Sequence, residues 1–146
     1  MTPADSLLHE ELRQHEGVRY EPYLDTVGVE TVGVGHNMQQ KPLPDDWSFP
    51  LTDDQVDRLL AADLVGVFHD LDGRLGWWRT LSYVRMRVLA NMCFNLGISG
   101  LCTFKHTLEA IKRGDYEEAA QGMLHSKWAQ QVGGRAERLS MMMRLG

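Results

Sequence analysis

Apolar residues recur along this chain at two spacings, and the change between them divides it. From Asp5 to His15, Leu7, Leu8 and Leu12 fall on one side of a helical wheel, which predicts a short amphipathic helix stopped by Gly17. Glu16 then sits at the helix C-terminus, beside the negative pole of the dipole, where a second negative charge is disfavoured. From Val18 to His36 the spacing shortens: Tyr20, Tyr23, Val27, Val29, Val32 and Val34 are strand formers and Gly28 marks a turn. Along Val29–Gly35 the period is two, with Glu30, Val32 and Val34 on one face and Val29, Thr31, Gly33 and Gly35 on the other. The second face is nearly bare beyond Thr31, which predicts that a ligand or another backbone approaches it closely. Alternation turns Glu30 away from that face.

Asn37 to Leu51, with Pro42, Pro44 and Pro50, reads as a loop. Thr52-Asp53-Asp54-Gln55 has the capping-box pattern and opens a long helix on which Val56, Leu59, Leu60, Val67, Phe68 and Leu71 keep helical spacing. Asp63 falls inside that apolar stripe, so it needs a partner. Leu81–Leu96 reads as a helix ending at Gly97, and Phe104–Arg113 as one ending at Gly114. Asp115-Tyr116-Glu117-Glu118 opens another with a second capping-box-like pattern, and Ala136–Arg144 is the last. Met141-Met142-Met143 reads as packing against the core. A small N-terminal sheet followed by five or six helices is an α+β pattern.

Composition narrows the function. With 146 residues, 43% of them hydrophobic, the chain suits one well-buried domain. No stretch is long and apolar enough to span a membrane, and Met1-Thr2-Pro3-Ala4-Asp5 lacks a basic n-region, so no secretory signal is expected. Cys93 and Cys102 form no CxxC pair and read as free, packed thiols of a reducing compartment. The histidines show neither HxH nor HExxH spacing, so no metal site is expected. The net charge of −5 is uneven: residues 1–73 hold 4 basic against 15 acidic side chains, and residues 74–146 hold 11 against 5. The halves could simply attract each other, or a basic lobe could face an anionic polymer while carboxylates act opposite it. The acidic total argues against a dedicated nucleic-acid binder.

Glu16 closes a helix and Asp25 precedes a hairpin turn, so the two could face one another across a groove. Glycoside hydrolysis needs such a pair, one protonated for the leaving oxygen and one ionised on the sugar's other side. Glu16-Gly17, Tyr23-Leu24-Asp25-Thr26, Gly28 and Thr31-Val32-Gly33-Val34-Gly35-His36 resemble, in residue type and spacing, the E-G…Y-x-D-T-x-G-x-x-T-x-G-x-G-H signature of the T-even phage lysozyme family, glycoside hydrolase family 24. Asn91-Met92-Cys93-Phe94-Asn95-Leu96-Gly97 with Phe104 resembles its central helix. Ser126-Lys127-Trp128 with Arg135-Ala136-Glu137-Arg138 resembles its C-terminal region.

The resemblance implies a single lysozyme-like α+β domain over 1–146. A sheet lobe at 17–51 would be joined by a helix at 52–72 to a helical lobe made of 73–146 and 1–16, with a substrate groove between the lobes. It implies an inverting hydrolase of the peptidoglycan β-1,4 bond between N-acetylmuramic acid and N-acetylglucosamine, working without metal or cofactor. Glu16 would be the general acid, Asp25 would stabilise the transition state and help activate water, and Thr31 would hold that water. It further implies substrate contacts from Phe94, Asn95, Arg135 and Met38, an arginine (Arg135) paired with Glu16, and a structural His36–Asp63 ion pair. Asn95 stands where the family usually has glutamine, the loop after His36 is shorter, and the tail stops early at Gly146.

The expected setting is host lysis by a monomer that stays in the host cytoplasm until a holin releases it to the cell wall, with no nucleic-acid partner and no membrane insertion. Trp77-Trp78 could stack on sugar, although paired tryptophans more often pack. Two rivals share the fold: a lytic transglycosylase, which needs no water-activating aspartate, and a non-catalytic wall-binding virion component.

Overall fold

In the computed structural model, which describes Met1–Gly146, the first helix starts at its cap. Asp5 Oδ1 accepts from the Leu8 N–H at 3.0 Å, and α1 runs Ser6–Glu16. Gly17, at φ 79°, ends it with its N–H on the Arg13 carbonyl. Leu8 and Leu12 are buried, but Leu7 is half exposed and Glu11 is buried instead. The buried stripe is therefore rotated from the expected one.

The sheet is small, antiparallel and ordered β1-β2-β3: β1 is Arg19–Leu24, β2 Glu30–Gly33 and β3 His36–Asn37. Tyr23 pairs with Thr31, Leu24 with Glu30, Thr31 with Asn37 and Val32 with His36. The strand expected over Val29–Gly35 stops at Gly33, because Val34-Gly35 form the turn into β3. A second expectation is also corrected. The Thr31 face is not bare: Thr31 is 4% exposed, and a Cβ built on Gly33 would lie 3.7 Å from Leu59 and 3.9 Å from Val56. The neighbour that approaches closely is the next helix.

That helix, α2, spans Asp53–Arg74. The capping box forms reciprocally: Gln55 N–H donates to Thr52 Oγ1 at 3.1 Å, and Thr52 N–H to Gln55 Oε1 at 3.0 Å. By compactness the chain divides inside α2 into Thr2–Gly66 and Val67–Gly146, the latter with Met1. α1 falls in the same unit as the sheet, and the Arg13–Asp57 bond ties it to α2.

The second unit holds the end of α2, a 3-10 turn at Trp78–Thr80, α3 (Tyr83–Cys102), α4 (Lys105–Lys112), α5 (Tyr116–Leu124), α6 (Lys127–Val132) and α7 (Gly134–Leu145). α3 breaks at Gly97, where φ is 73° and ψ 163°, so the stop expected there is present inside a longer helical run. α5 packs on α4 and α7, and α3 and α6 also pack on α7. Leu71, Leu89, Met92, Leu101, Ile111, Met123 and Leu139 are among its fully buried side chains, with Trp78. Trp78 is a packing residue, 5.4 Å from the Phe68 ring centroid, with its Nε1–H on Asp72 Oδ1 at 2.7 Å. Of the methionine run, Met143 is buried while Met141 is exposed. The second capping box is half formed: Glu118 N–H reaches Asp115 Oδ1, but the Glu118 carboxylate pairs with Arg113. Both cysteines are free, and no helix is long and apolar enough to cross a membrane.

Candidate active site

Glu16, Asp25 and Thr31 all belong to the first unit, within one run of α1, β1 and β2. Glu16 is the last residue of α1 and is half-buried, with two residues between it and β1. Asp25 follows β1 and builds the hairpin turn with one oxygen: Oδ1 accepts from the N–H groups of Val27 (3.0 Å) and Val29 (2.8 Å). The backbone closes the same turn through Asp25 N–H on the Val29 carbonyl and Gly28 N–H on the Asp25 carbonyl, both at 3.0 Å. Turns favour aspartate because its side chain can take such bonds. Here they also fix the carboxylate's direction and leave Oδ2 outside the turn's hydrogen bonds.

Thr31 lies opposite Tyr23 in the sheet register, so by alternation it shares a hairpin face with Tyr23 and Asp25. Its hydroxyl donates to the Val29 carbonyl at 2.8 Å. With its proton used there, Oγ1 can only accept from a further partner. A water meeting both Thr31 Oγ1 and Asp25 Oδ2 would therefore donate to each and keep a lone pair free.

The structure brings His36 and Asp63 together. His36 Nδ1 lies 2.8 and 3.1 Å from the two Asp63 oxygens, and Nε2 lies 2.8 Å from the Lys41 carbonyl. The Asp63 hydrogen bond, with the charge of Asp63 and the Lys41 carbonyl, raises the His36 pKa above its ordinary value against the opposing pull of burial. Met38 is half-buried just beyond β3.

The remaining sequence-predicted residues lie in the second unit. Phe94 is half-buried and Asn95 exposed on α3. Asn95 Oδ1 accepts from Trp128 Nε1–H at 2.7 Å, so its carbonyl is committed to the protein. Arg135 is buried and clasps Asn91, with Nε at 3.0 Å and Nη2 at 2.8 Å from Asn91 Oδ1. Neither the Asn91 nor the Trp128 contact was foreseen from the sequence, although both residues stand in the resembling blocks. A cavity of about 510 Å³ opens in this unit between Phe104, Thr107, Gly122, Lys127 and Trp128. None of Glu16, Asp25 and Thr31 lines it.

Comparison with known proteins decides the family. Residues 13–144 match the family described as phage lysozyme. The chain belongs to the phage lysozyme family. Within it, this lysozyme-family chain is 30% identical over 157 residues to the pre-baseplate central spike protein Gp5 of Enterobacteria phage T4, an alignment covering 94% of this chain and 27% of that protein. The chain thus spans little more than a quarter of that relative. It is 25% identical to probable T4-type lysozyme 1 of Dictyostelium discoideum, covering 97% of this chain and 95% of the relative. Probable T4-type lysozyme 2 of the same organism is 24% identical with the same coverage.

Proposed function

We propose that this phage-lysozyme-family chain hydrolyses bacterial peptidoglycan at the β-1,4 bond between N-acetylmuramic acid and N-acetylglucosamine, with inversion. Family membership supports the coarse reading, a glycosidase acting on peptidoglycan. The observation that carries the finer one is the hairpin face holding Asp25 and Thr31. One carboxylate oxygen is tied to two backbone N–H groups, and the neighbouring hydroxyl is limited to accepting.

In this reading Glu16, protonated, gives its proton to the glycosidic oxygen as that bond breaks. A water donating to Asp25 Oδ2 and Thr31 Oγ1 attacks the anomeric carbon with its free lone pair. Asp25 takes the water's proton, so the two carboxyl groups exchange protonation states over the cycle. Attack from the face opposite the leaving group inverts the anomeric centre. Phe94, Asn95, Arg135 and Met38 are the proposed substrate contacts. Asn95 would act through its amide N–H groups, since its carbonyl holds Trp128.

Host lysis by a monomer after holin-dependent release from the cytoplasm is the proposed setting. The name of one relative, a central spike protein, supports a second setting on the virion. A lytic transglycosylase is disfavoured, because water held by Asp25 and Thr31 has no part in forming an anhydro sugar. The deciding experiment is the anomeric configuration of the first product of purified peptidoglycan. The inverted anomer is expected; a retained anomer or a 1,6-anhydro end would overturn the mechanism. Equal wall clearing by wild type and Glu16→Gln would remove Glu16 from its role and favour a chain that binds wall without cutting it.

A further inference from the structure

The segment that carries Glu16 is poorly anchored by apolar packing. Leu8 and Leu12 are buried in the earlier turns of α1, but the last turn, Arg13 to Glu16, buries no apolar side chain. Only Gly17 and Val18 separate α1 from β1. Every residue of β1 is exposed or half-buried, and its pairing with β2 is irregular between Arg19 and Tyr23.

A polar staple takes the place of a core here. On one side of Glu16, Arg13 Nη2 donates to Asp57 Oδ1 at 2.8 Å and lies 3.9 Å from Asp53 Oδ1. On the other side, Tyr20 OH donates to Asp53 Oδ1 at 2.6 Å. The Tyr20 carbonyl also accepts from Leu51 N–H at 2.8 Å, just before α2. Asp53 and Asp57 lie one turn apart on α2, so both flanks of Glu16 end on the same helical turn. Two pKa directions agree with the geometry: Asp57 raises Arg13, and the bond to Asp53 raises Tyr20.

We infer that Asp53, with Tyr20 and Arg13, is a positioning group for Glu16, acting through the α1–β1 bend. None of the three is assigned to touch substrate. The inference rests on the reading of Glu16 as the acid. Exposed ion pairs of this kind add little to global stability, so their loss leaves the fold intact. A small displacement of the acid is costly to the chemical step, because misplacement by about 1 Å can cost up to about 10²-fold.

The test measures initial rates on purified peptidoglycan across substrate concentration for Tyr20→Phe, Asp53→Ala, the double variant and Asp53→Glu, with Glu16→Gln alongside. Tyr20→Phe and Asp53→Ala should each lower kcat by about 3–10-fold with KM and the thermal midpoint unchanged. The double variant should be no slower than the worse single, since both remove one contact. Asp53→Glu should recover part of the rate. Unchanged kcat in both single variants, or a fall that merely follows the thermal midpoint, overturns the positioning role while an inactive Glu16→Gln leaves the acid assignment standing. An active Glu16→Gln overturns both.

Discussion

His36 and Asp63 meet through a ring that is held at both ends: Nδ1 sits 2.8 Å from Asp63 Oδ2 on α2, and Nε2 sits 2.8 Å from the Lys41 carbonyl beyond β3. With acceptors facing both nitrogens, imidazolium is the form the site binds best, and the pKa rises. A raised folded-state pKa adds stability that is complete below the unfolded value of about 6.5 and disappears as pH rises through the folded value. His36→Asn should therefore lower unfolding free energy by about 2–3 kcal/mol at about pH 6 and by much less on the alkaline side. Urea unfolding across that range checks it. A loss that is the same at both ends would reject the ion pair as the cause.

Asp25 separates chemistry from architecture by its choice of substitute. Asn at this position keeps an oxygen for the Val27 and Val29 N–H groups and removes the charge. Ala removes both. Asp25→Asn should unfold like wild type, while Asp25→Ala should lose about 1–2 kcal/mol through two unpaired donors. Both should lose wall-lytic activity by about 10²-fold or more. Retained activity in Asp25→Asn would exclude a role for the ionised carboxylate.

Cys93 is buried, and burial is the main reason its thiol is pushed up to about 12. Thiolate is the reactive form. In the native protein, iodoacetamide near neutral pH should modify Cys102 alone, which is half-buried, whereas both thiols should react in urea. Mass spectrometry of the labelled chain reads the site. Rapid native labelling of Cys93 would show that the core around it opens.

Gly33 takes φ 68°, and its imagined Cβ would make ordinary contacts with Leu59 and Val56. Space is available; backbone freedom is not. Gly33→Ala should cost about 1–2 kcal/mol from the left-handed conformation alone. Trimming Leu59 to Val in the same chain should not recover the loss. Recovery would mean that crowding is responsible instead.

Local signals were legible where they depend on neighbours in sequence. Asp5 caps α1, Thr52 and Gln55 cap each other, and Gly97 interrupts α3 as its position after Leu96 predicts. Asp63 announced a missing partner by standing in an apolar stripe. Features that depend on distant segments were not legible. The period of two correctly separated the faces of β2, but the occupant of the Gly33 face is a helix more than twenty positions further on. α6, at 6 residues, is too short to display a helical period of its own. The Arg13–Asp57 and Tyr20–Asp53 contacts join residues 44 and 33 positions apart, and exposed acids carry no pattern that names their partners.

The hairpin turn at Asp25 has a further consequence for how this chain can change over time. The residue proposed to handle water also ties its own turn, so the reagent and the scaffold share one side chain. A descendant that abandoned hydrolysis by discarding Asp25 would have to redesign the loop from Thr26 to Gly28 as well, or carry a frayed hairpin. Asparagine is the one easy exit, since it silences the chemistry and spares the turn. Inactive descendants of this chain should therefore be recognisable by asparagine at that position or by a rebuilt loop around it.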